Sequence, residues 1–185
     1  MDVDIESSPN NHNAKTPRAL SKGQERKVID FLEYSFQDVE SSFTKRSEPS
    51  LSKLPTLTAS LDAMHHLLAF ILQIPSIDAF LLCLTSDVTN SVPGYPPNLD
   101  GLPQLLDFLD DLDEAWSAVL NSQVWDPSLG TGVNLVIPVD MMELDRPIRS
   151  TPVSQTERTR LHSLLVTGTA GLEEWLPTLS SLDSR

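Results

Sequence analysis

The sequence predicts an all-α protein, a bundle of four to five amphipathic helices with at most one short extended segment. Three observations lead to this prediction. Large apolar residues recur every three or four positions in several separate segments, which is the period of a one-faced helix. Two of these segments begin with a serine followed three residues later by Gln or Glu, the spacing of a capping box. Short to medium polar loops separate the segments, so a single helical domain at 21–177 accounts for most of the 185 residues.

Both ends of the chain are expected to lie outside this domain. Residues 1–20 are rich in Asn, Ser, Pro and charge and contain few large apolar side chains. Such a composition cannot bury enough surface to offset the entropy of ordering the chain. We therefore expect a disordered tail at 1–20 and a short flexible tail at 178–185.

The first half of the domain contains three predicted helices. The first begins at the capping box of Ser21 and stops before Pro49. The second, at about 55–73, includes the stretch LLAFILQI, which is apolar nearly all round, as expected of the central helix of a bundle. Ser76 can cap a shorter third helix. The Pro-, Gly- and Asn-rich segment 86–101 then predicts a loop.

The second half contains two more predicted helices. The stretch LPQLLDFLDDLDEAW begins a helix that should end near Val124. A loop at 126–153 follows, and the glycine-bounded, β-branched stretch GTGVNLVIPVDMM at 130–142 is the one candidate extended segment. The last helix begins at the capping box of Ser154 and Glu157. Its expected buried residues are Leu161, Leu164, Leu165, Leu172, Trp175 and Leu176.

The negative charge of the protein is concentrated in the middle of the chain. The formal net charge is −13, and no Lys or Arg occurs between Leu54 and Asp145, a segment with 13 of the 26 acidic residues. Because the other 13 acids equal the 13 basic residues in number, the whole net charge belongs to this segment. Such a segment repels phosphate backbones and anionic lipid. We expect other protein subunits, with a basic or amphipathic surface, as partners, and no direct binding of nucleic acid.

The cysteine content and the apolar runs bear on location. A single cysteine and an acidic, polar N-terminal stretch without an apolar leader favour an intracellular protein, in the nucleus or the cytoplasm. The longest apolar run, 67–84, is interrupted by Gln73, Pro75 and Asp78. We therefore expect no membrane span.

The pentapeptide DDLDE, Asp110 to Glu114, has the D-D-x-x-E spacing of a site for Mg²⁺ and a diphosphate. On a helical wheel, however, its acids fall on the side opposite Leu105, Leu112 and Trp116. A metal-binding orientation toward the bundle centre would expose that apolar stripe to water. The spacing of a calcium loop is also absent. We therefore interpret DDLDE as a solvated acidic face and predict no metal site and no cofactor.

The residues predicted to bind a partner come from this helix and the segment after it. Carboxylates on an exposed helix face can pair with a basic surface, and a tryptophan beside a loop can anchor an interface. Core packing is the competing role for each tryptophan, Trp116, Trp125 and Trp175. The predicted contact residues are Asp107, Asp110, Asp111, Glu114 and Trp125.

Catalytic motifs are absent from the sequence. His65 and His66 are adjacent and diverge on a helix, and no H-E-x-x-H motif occurs. Cys83 lies in the apolar stretch AFLLCL, which predicts a buried structural thiol. The glycines do not have phosphate-loop spacing. We therefore predict no catalytic residue and identify no small-molecule substrate.

Three functional hypotheses remain. The leading one is a non-catalytic helical interaction subunit or adaptor of a larger complex, whose acidic middle region faces a basic partner. The alternative is a small α-helical enzyme or ligand-binding bundle with a pocket assembled from dispersed residues, for which Cys83, His65, His162 and Asp78 are the candidates. A third is an acidic, chaperone-like binder of histones or other basic proteins.

Overall fold

The computed structural model describes residues 21–48, 50–74, 77–134 and 153–177. These residues form an all-α bundle, which confirms the predicted fold class. The helices are α1 (Lys22–Thr44), α2 (Leu57–Ile71), α3 (Ile77–Ser91), α4 (Leu102–Leu120) and α5 (Gln155–Trp175). After α4, strands β1 (Val124–Asp126) and β2 (Thr131–Val133) pair as an antiparallel hairpin.

Both predicted capping boxes are present. The Ser21 Oγ accepts a hydrogen bond from the backbone N–H of Gln24 at 3.3 Å, and the Gln24 Oε1 accepts one from the Ser21 N–H at 2.9 Å. Ser154 and Glu157 exchange the same two bonds at the start of α5, at 3.2 and 2.8 Å. Because each box satisfies N–H groups that a first helical turn leaves unpaired, it fixes where the helix begins.

The helices α2 and α3 form the centre of the bundle. α2 packs against α1, α3 and α4, and α3 also packs against α4 and α5. The prediction of a central second helix is therefore confirmed. Its apolar surface is buried on several sides because each neighbouring helix covers a different stripe. The largest fully buried apolar residues are Leu32, Leu61, Met64, Ile71, Leu81, Leu84 and Phe108.

The segment expected to be a loop at 86–101 is helical at both ends. α3 continues to Ser91 and buries Val88. Leu84, Val88 and Val92 are spaced by four residues, so tertiary packing of this stripe outweighs the polar composition around it. Two 3₁₀ turns complete the segment, Val92–Gly94 and Leu99–Gly101.

The segment after α4 also differs from the prediction. α4 ends at Leu120, earlier than predicted, and the chain then forms a hairpin of two strands rather than a single extended segment. β2 lies within the predicted stretch 130–142, whereas β1 was not predicted. The Asp126 Oδ1 accepts a hydrogen bond from the Ser128 N–H at 2.8 Å, and Gly130 has a φ of +65°. These turn residues reverse the chain because glycine tolerates the left-handed conformation.

Helix α5 packs on one side only, against α3 and the 3₁₀ turn that follows it. Leu161, Gly168 and Trp175, at intervals of seven residues, are its buried positions. Leu165 and Leu176 are 48% and 45% exposed, so the prediction that they are buried is wrong. The helix has no described neighbour on that side to cover them.

Several predictions concern residues outside the described ranges. They are the tails at 1–20 and 178–185, the helix-ending Pro49, the capping Ser76 and most of the loop at 126–153.

Candidate functional site

The best-defined candidate surface is the outer face of α4. Leu105, Phe108, Leu112, Trp116 and Val119 are buried on its inner side, as the helical wheel predicted. The spacing of three and four residues places them on one stripe, so the residues between them point outward. The inner stripe thus determines the orientation of the outer face.

Five acids occupy that outer face, and we call them the α4 acidic face: Asp107, Asp110, Asp111, Asp113 and Glu114. All five side chains are exposed, which confirms the predicted solvated face. In the described part of the chain, no Lys or Arg lies within ion-pair distance of any of them. No Lys or Arg side chain of these described residues neutralises them, so solvent and salt provide most of the screening of their charges.

Two members of the α4 acidic face contact neighbouring elements. The Asp111 Oδ2 lies 3.2 Å from the His65 Nε2 of α2, and the His65 ring also meets the Phe108 ring edge-on at 4.8 Å. The Glu114 Oε2 accepts a hydrogen bond from the Thr131 Oγ1 of β2 at 3.3 Å. The face is thereby tied to α2 on one side and to the hairpin on the other.

The acidic surface also extends onto α2, which the sequence did not indicate. The Asp62 Oδ1 accepts a hydrogen bond from the Gln104 Nε2 of α4 at 2.6 Å. The same amide nitrogen lies 3.4 Å from the Thr58 carbonyl oxygen. Only the packing of α2 on α4 brings Asp62 beside the α4 acidic face, because 42 residues separate it from Gln104 in sequence.

Trp125 lies in β1 rather than at a helix end. It is half-buried and is the direct cross-strand partner of Gly132. A Cβ on Gly132 would lie 2.6 Å from the Ala118 Cβ of α4, so that side of the hairpin faces α4. Because directly opposed residues of an antiparallel pair point to the same side, Trp125 lies on that side too. Its role as a partner anchor stays a prediction.

The other two tryptophans are core residues. Trp116 is 5% exposed, and its Nε1 donates a hydrogen bond to the Thr85 Oγ1 of α3 at 3.0 Å. Trp175 is 5% exposed, and its Nε1 donates to the Tyr95 carbonyl oxygen at 3.1 Å. Each buried indole thus has the hydrogen-bond partner that it requires.

The four residues proposed for an enzyme pocket have different neighbours. His65 faces Asp111 of α4, whereas Asp78 of α3 faces Glu157 of α5. Burial, followed by the charge of Glu157, raises the pKa of Asp78 above its ordinary value. His162 is exposed on α5. The contacts of the described residues therefore do not bring these four side chains into one site.

The prediction that Cys83 is buried is wrong, because its side chain is exposed on α3. α3 is apolar nearly all round in this stretch, but its neighbours bury the side with Leu81, Leu84 and Val88. Cys83 lines an open groove of about 550 Å³ between α3 and α5, together with Arg160. Partial burial and the charge of Asp87 raise the pKa of its thiol. It is thus a weak nucleophile.

Two further observations apply to the described ranges. None of their helices is both long and apolar enough to cross a membrane. No three His, Cys, Asp or Glu side chains in these ranges are grouped so as to hold a metal ion.

The chain was compared with known proteins at three levels. No model of a protein family, no curated protein and no solved structure gave a significant match. The surface geometry and charge therefore carry the functional argument.

Proposed function

We propose that this protein is a non-catalytic helical interaction subunit or adaptor that binds a basic surface of a partner protein through the α4 acidic face. One observation carries the proposal. All five carboxylates of the face are exposed, and no Lys or Arg of the described residues pairs with them. The opposite side of the same helix is packed into the core, so the acids are held in a fixed array.

The physical consequence is a surface of one sign. Protein surfaces usually intersperse both signs of charge, and a fixed array of one sign steers oppositely charged partners toward it. Complementary charge of this kind increases association rates and selects partners more than it increases affinity. A basic protein surface fits this array, whereas phosphate backbones and anionic lipid are repelled by it.

The hairpin that borders the α4 acidic face contributes a half-buried tryptophan, Trp125. Thr131 of β2 bonds to Glu114, and its direct cross-strand partner is Asp126; the half-buried Trp125 precedes Asp126 in β1. Tryptophans near the centre of an interface often supply much of the binding energy. The proposal therefore assigns steering to the acids and affinity to Trp125. The proposed setting is a larger intracellular complex, in the nucleus or the cytoplasm.

The experiment compares partner binding by two charge-matched variants. The test variant changes Asp107→Asn, Asp110→Asn, Asp111→Asn and Glu114→Gln on α4. The control variant changes Glu48→Gln, Asp100→Asn, Glu173→Gln and Glu174→Gln, four exposed acids outside α4. Circular dichroism verifies that both variants remain folded.

Tagged full-length protein is purified from cells with its partners, which are identified by mass spectrometry. We expect stoichiometric partners with a basic surface, retained by the control variant and lost by the test variant. Their release should rise with salt over about 50–300 mM, because screening weakens exposed charge pairs. Equal recovery of partners by both variants would overturn the proposal. Recovery of histones in particular would identify the protein as an acidic binder of basic clients.

A further inference from the structure

A second groove lies between α1 and α3, and no residue of α4 lines it. Both helices pack directly against α2, and the groove between them has a volume of about 320 Å³. The residues that line each wall span seven positions of their helix, so each wall is about 10 Å long. The α1 wall consists of Glu33, Phe36, Gln37 and Glu40, and the α3 wall of Phe80, Cys83 and Asp87.

Two phenylalanines provide the apolar part of the groove. The rings of Phe36 and Phe80 stack with centroids 6.2 Å apart and planes 15° from parallel. Both residues are half-buried and pack against the core, so their position is fixed. Aromatic faces of this kind accept the methylene stem of a long basic side chain and attract its cation.

Three carboxylates surround these rings, Glu33 and Glu40 on α1 and Asp87 on α3. Within the described ranges, no Lys or Arg lines the groove and no ion pair involves any of the three. Asp87 is half-buried. Its burial, followed by the charge of Glu40, raises its pKa from 3.8 to about 6. The side chain is thus a carboxylate at neutral pH whose charge is poorly solvated and has no cation beside it among the described residues.

We propose that the groove between α1 and α3 binds an arginine or lysine side chain presented by a partner protein. The stem of that side chain packs on Phe36 and Phe80, and its cation pairs with Glu40 and Asp87. Among the candidate occupants, this one satisfies both halves of the groove. An apolar peptide would desolvate three carboxylates without compensation, and an anionic ligand would be repelled.

This inference goes beyond the proposed function because it concerns a separate surface with a different binding mode. The α4 acidic face is open and acts through steering. The groove between α1 and α3 instead selects a single side chain through its shape, its aromatic faces and its carboxylates.

The test uses two amidated, alanine-rich helical peptides of 15 residues. They differ at two positions, four residues apart, which are arginine in one peptide and citrulline in the other. Citrulline has nearly the same shape as arginine but carries no charge. Binding to the full-length protein is measured by fluorescence anisotropy. The rate at which iodoacetamide alkylates Cys83, the only cysteine, reports occupancy of either groove that Cys83 lines, and the groove variant shows whether the peptide occupies the one between α1 and α3.

The groove variant is Glu40→Gln with Asp87→Asn, and the matched control is Glu48→Gln with Asp100→Asn, two exposed acids that belong neither to the groove nor to α4. A third variant, Asp110→Asn with Glu114→Gln, separates this groove from the α4 acidic face. We expect the arginine peptide to bind, the citrulline peptide to bind at least about tenfold more weakly, and the groove variant to lose about tenfold. The matched control should bind as the wild type does. The bound peptide should also slow alkylation of Cys83.

Three outcomes would overturn this inference: equal binding of the two peptides, no binding of either, or wild-type binding by the groove variant. If only the α4 variant, Asp110→Asn with Glu114→Gln, lost binding, the groove would be excluded and the proposed function of the α4 acidic face would gain support. If the groove variant alone lost binding, the inference would stand whatever the partner purification shows.

Discussion

Replacing the half-buried Asp87 by asparagine should stabilise the protein at neutral pH. The pKa of Asp87 in the folded protein is about 6, raised from 3.8 by burial and by Glu40. Below pH 3.8 the carboxyl is protonated in both folded and unfolded chains, and its ionisation contributes nothing. As the pH rises from about 4 to 6, the unfolded chain ionises first, so ionisation favours unfolding. Above pH 6 the full reduction in the free energy of unfolding is present.

The magnitude follows from the same two values. At about 1.4 kcal/mol per pKa unit, the difference between 3.8 and about 6 corresponds to at most about 3 kcal/mol. Because the side chain is only half-buried, solvent screening reduces the expected effect to on the order of 1–2 kcal/mol. Asparagine has nearly the same shape and removes the ionisation. Asp87→Asn should therefore raise the free energy of unfolding by this amount above pH 6 and leave it nearly unchanged near pH 4.

Urea unfolding followed by circular dichroism at pH 4, 5, 6, 7 and 8 measures this difference. Glu33 and Glu40 of α1 and Cys83 of α3 line the same groove in both proteins, so the difference between the two curves reports Asp87 together with its interaction with Glu40. Asp110→Asn is the control, because it makes the same chemical change at an exposed position. The reasoning is refuted if the curves of Asp87→Asn and wild type run parallel from pH 4 to 8. A less stable variant at pH 7 would refute it as well.

Two further substitutions test the packing of α3. Gly168→Ala should destabilise the protein by about 1–3 kcal/mol, because the added Cβ would lie 2.7 Å from the Thr89 Cβ. At Gly23 an added Cβ would meet nothing within 4 Å, so Gly23→Ala should instead stabilise the protein by up to about 1 kcal/mol. Equal changes in thermal unfolding for the two glycine variants would contradict this explanation. Trp116→Phe should cost about 1–2 kcal/mol in urea unfolding through loss of the bond to Thr85, and an unchanged midpoint would show that this bond contributes nothing.

The acidic helix could be predicted from the sequence because its pattern is complete. Every large residue on the inner stripe is apolar and the opposite side contains five acids, so only one orientation buries the stripe. The capping boxes at Ser21 and Ser154 located two helix starts for a similar reason, since their hydrogen bonds are local. Such features depend on residues within one or two helical turns of each other.

The errors concern elements whose environment depends on distant parts of the chain. Cys83 and Leu165 lie in apolar patterns, yet both are exposed, Cys83 at the open grooves that α3 forms with α1 and α5 and Leu165 on the surface of α5. The hairpin was missed because its strands have three residues each, too few for a periodic signal. The sequence D-P-S-L-G at 126–130 was the local signal that could have indicated its turn.

The groove acids were missed for a different reason. Glu33 and Glu40 lie on α1, which also contains basic residues, so they do not belong to the long segment without positive charge. Asp87 lies within that segment, some 50 residues away along the chain. Only the packing of α1 and α3 places the three carboxylates around one pair of phenylalanine rings. A charge count along the sequence cannot detect such a cluster.

Asp87 connects stability with binding in this protein. An unpaired, half-buried carboxylate is unfavourable for the isolated fold, and a cation placed beside it would remove that cost. The same substitution, Asp87→Asn, should therefore stabilise the free protein and weaken binding of an arginine peptide. A substitution that damaged the core would lower both the folding stability and the peptide affinity. A substitution at a surface position without a role would change neither. Opposite changes in folding stability and peptide affinity are thus the combination that a binding role for this groove requires.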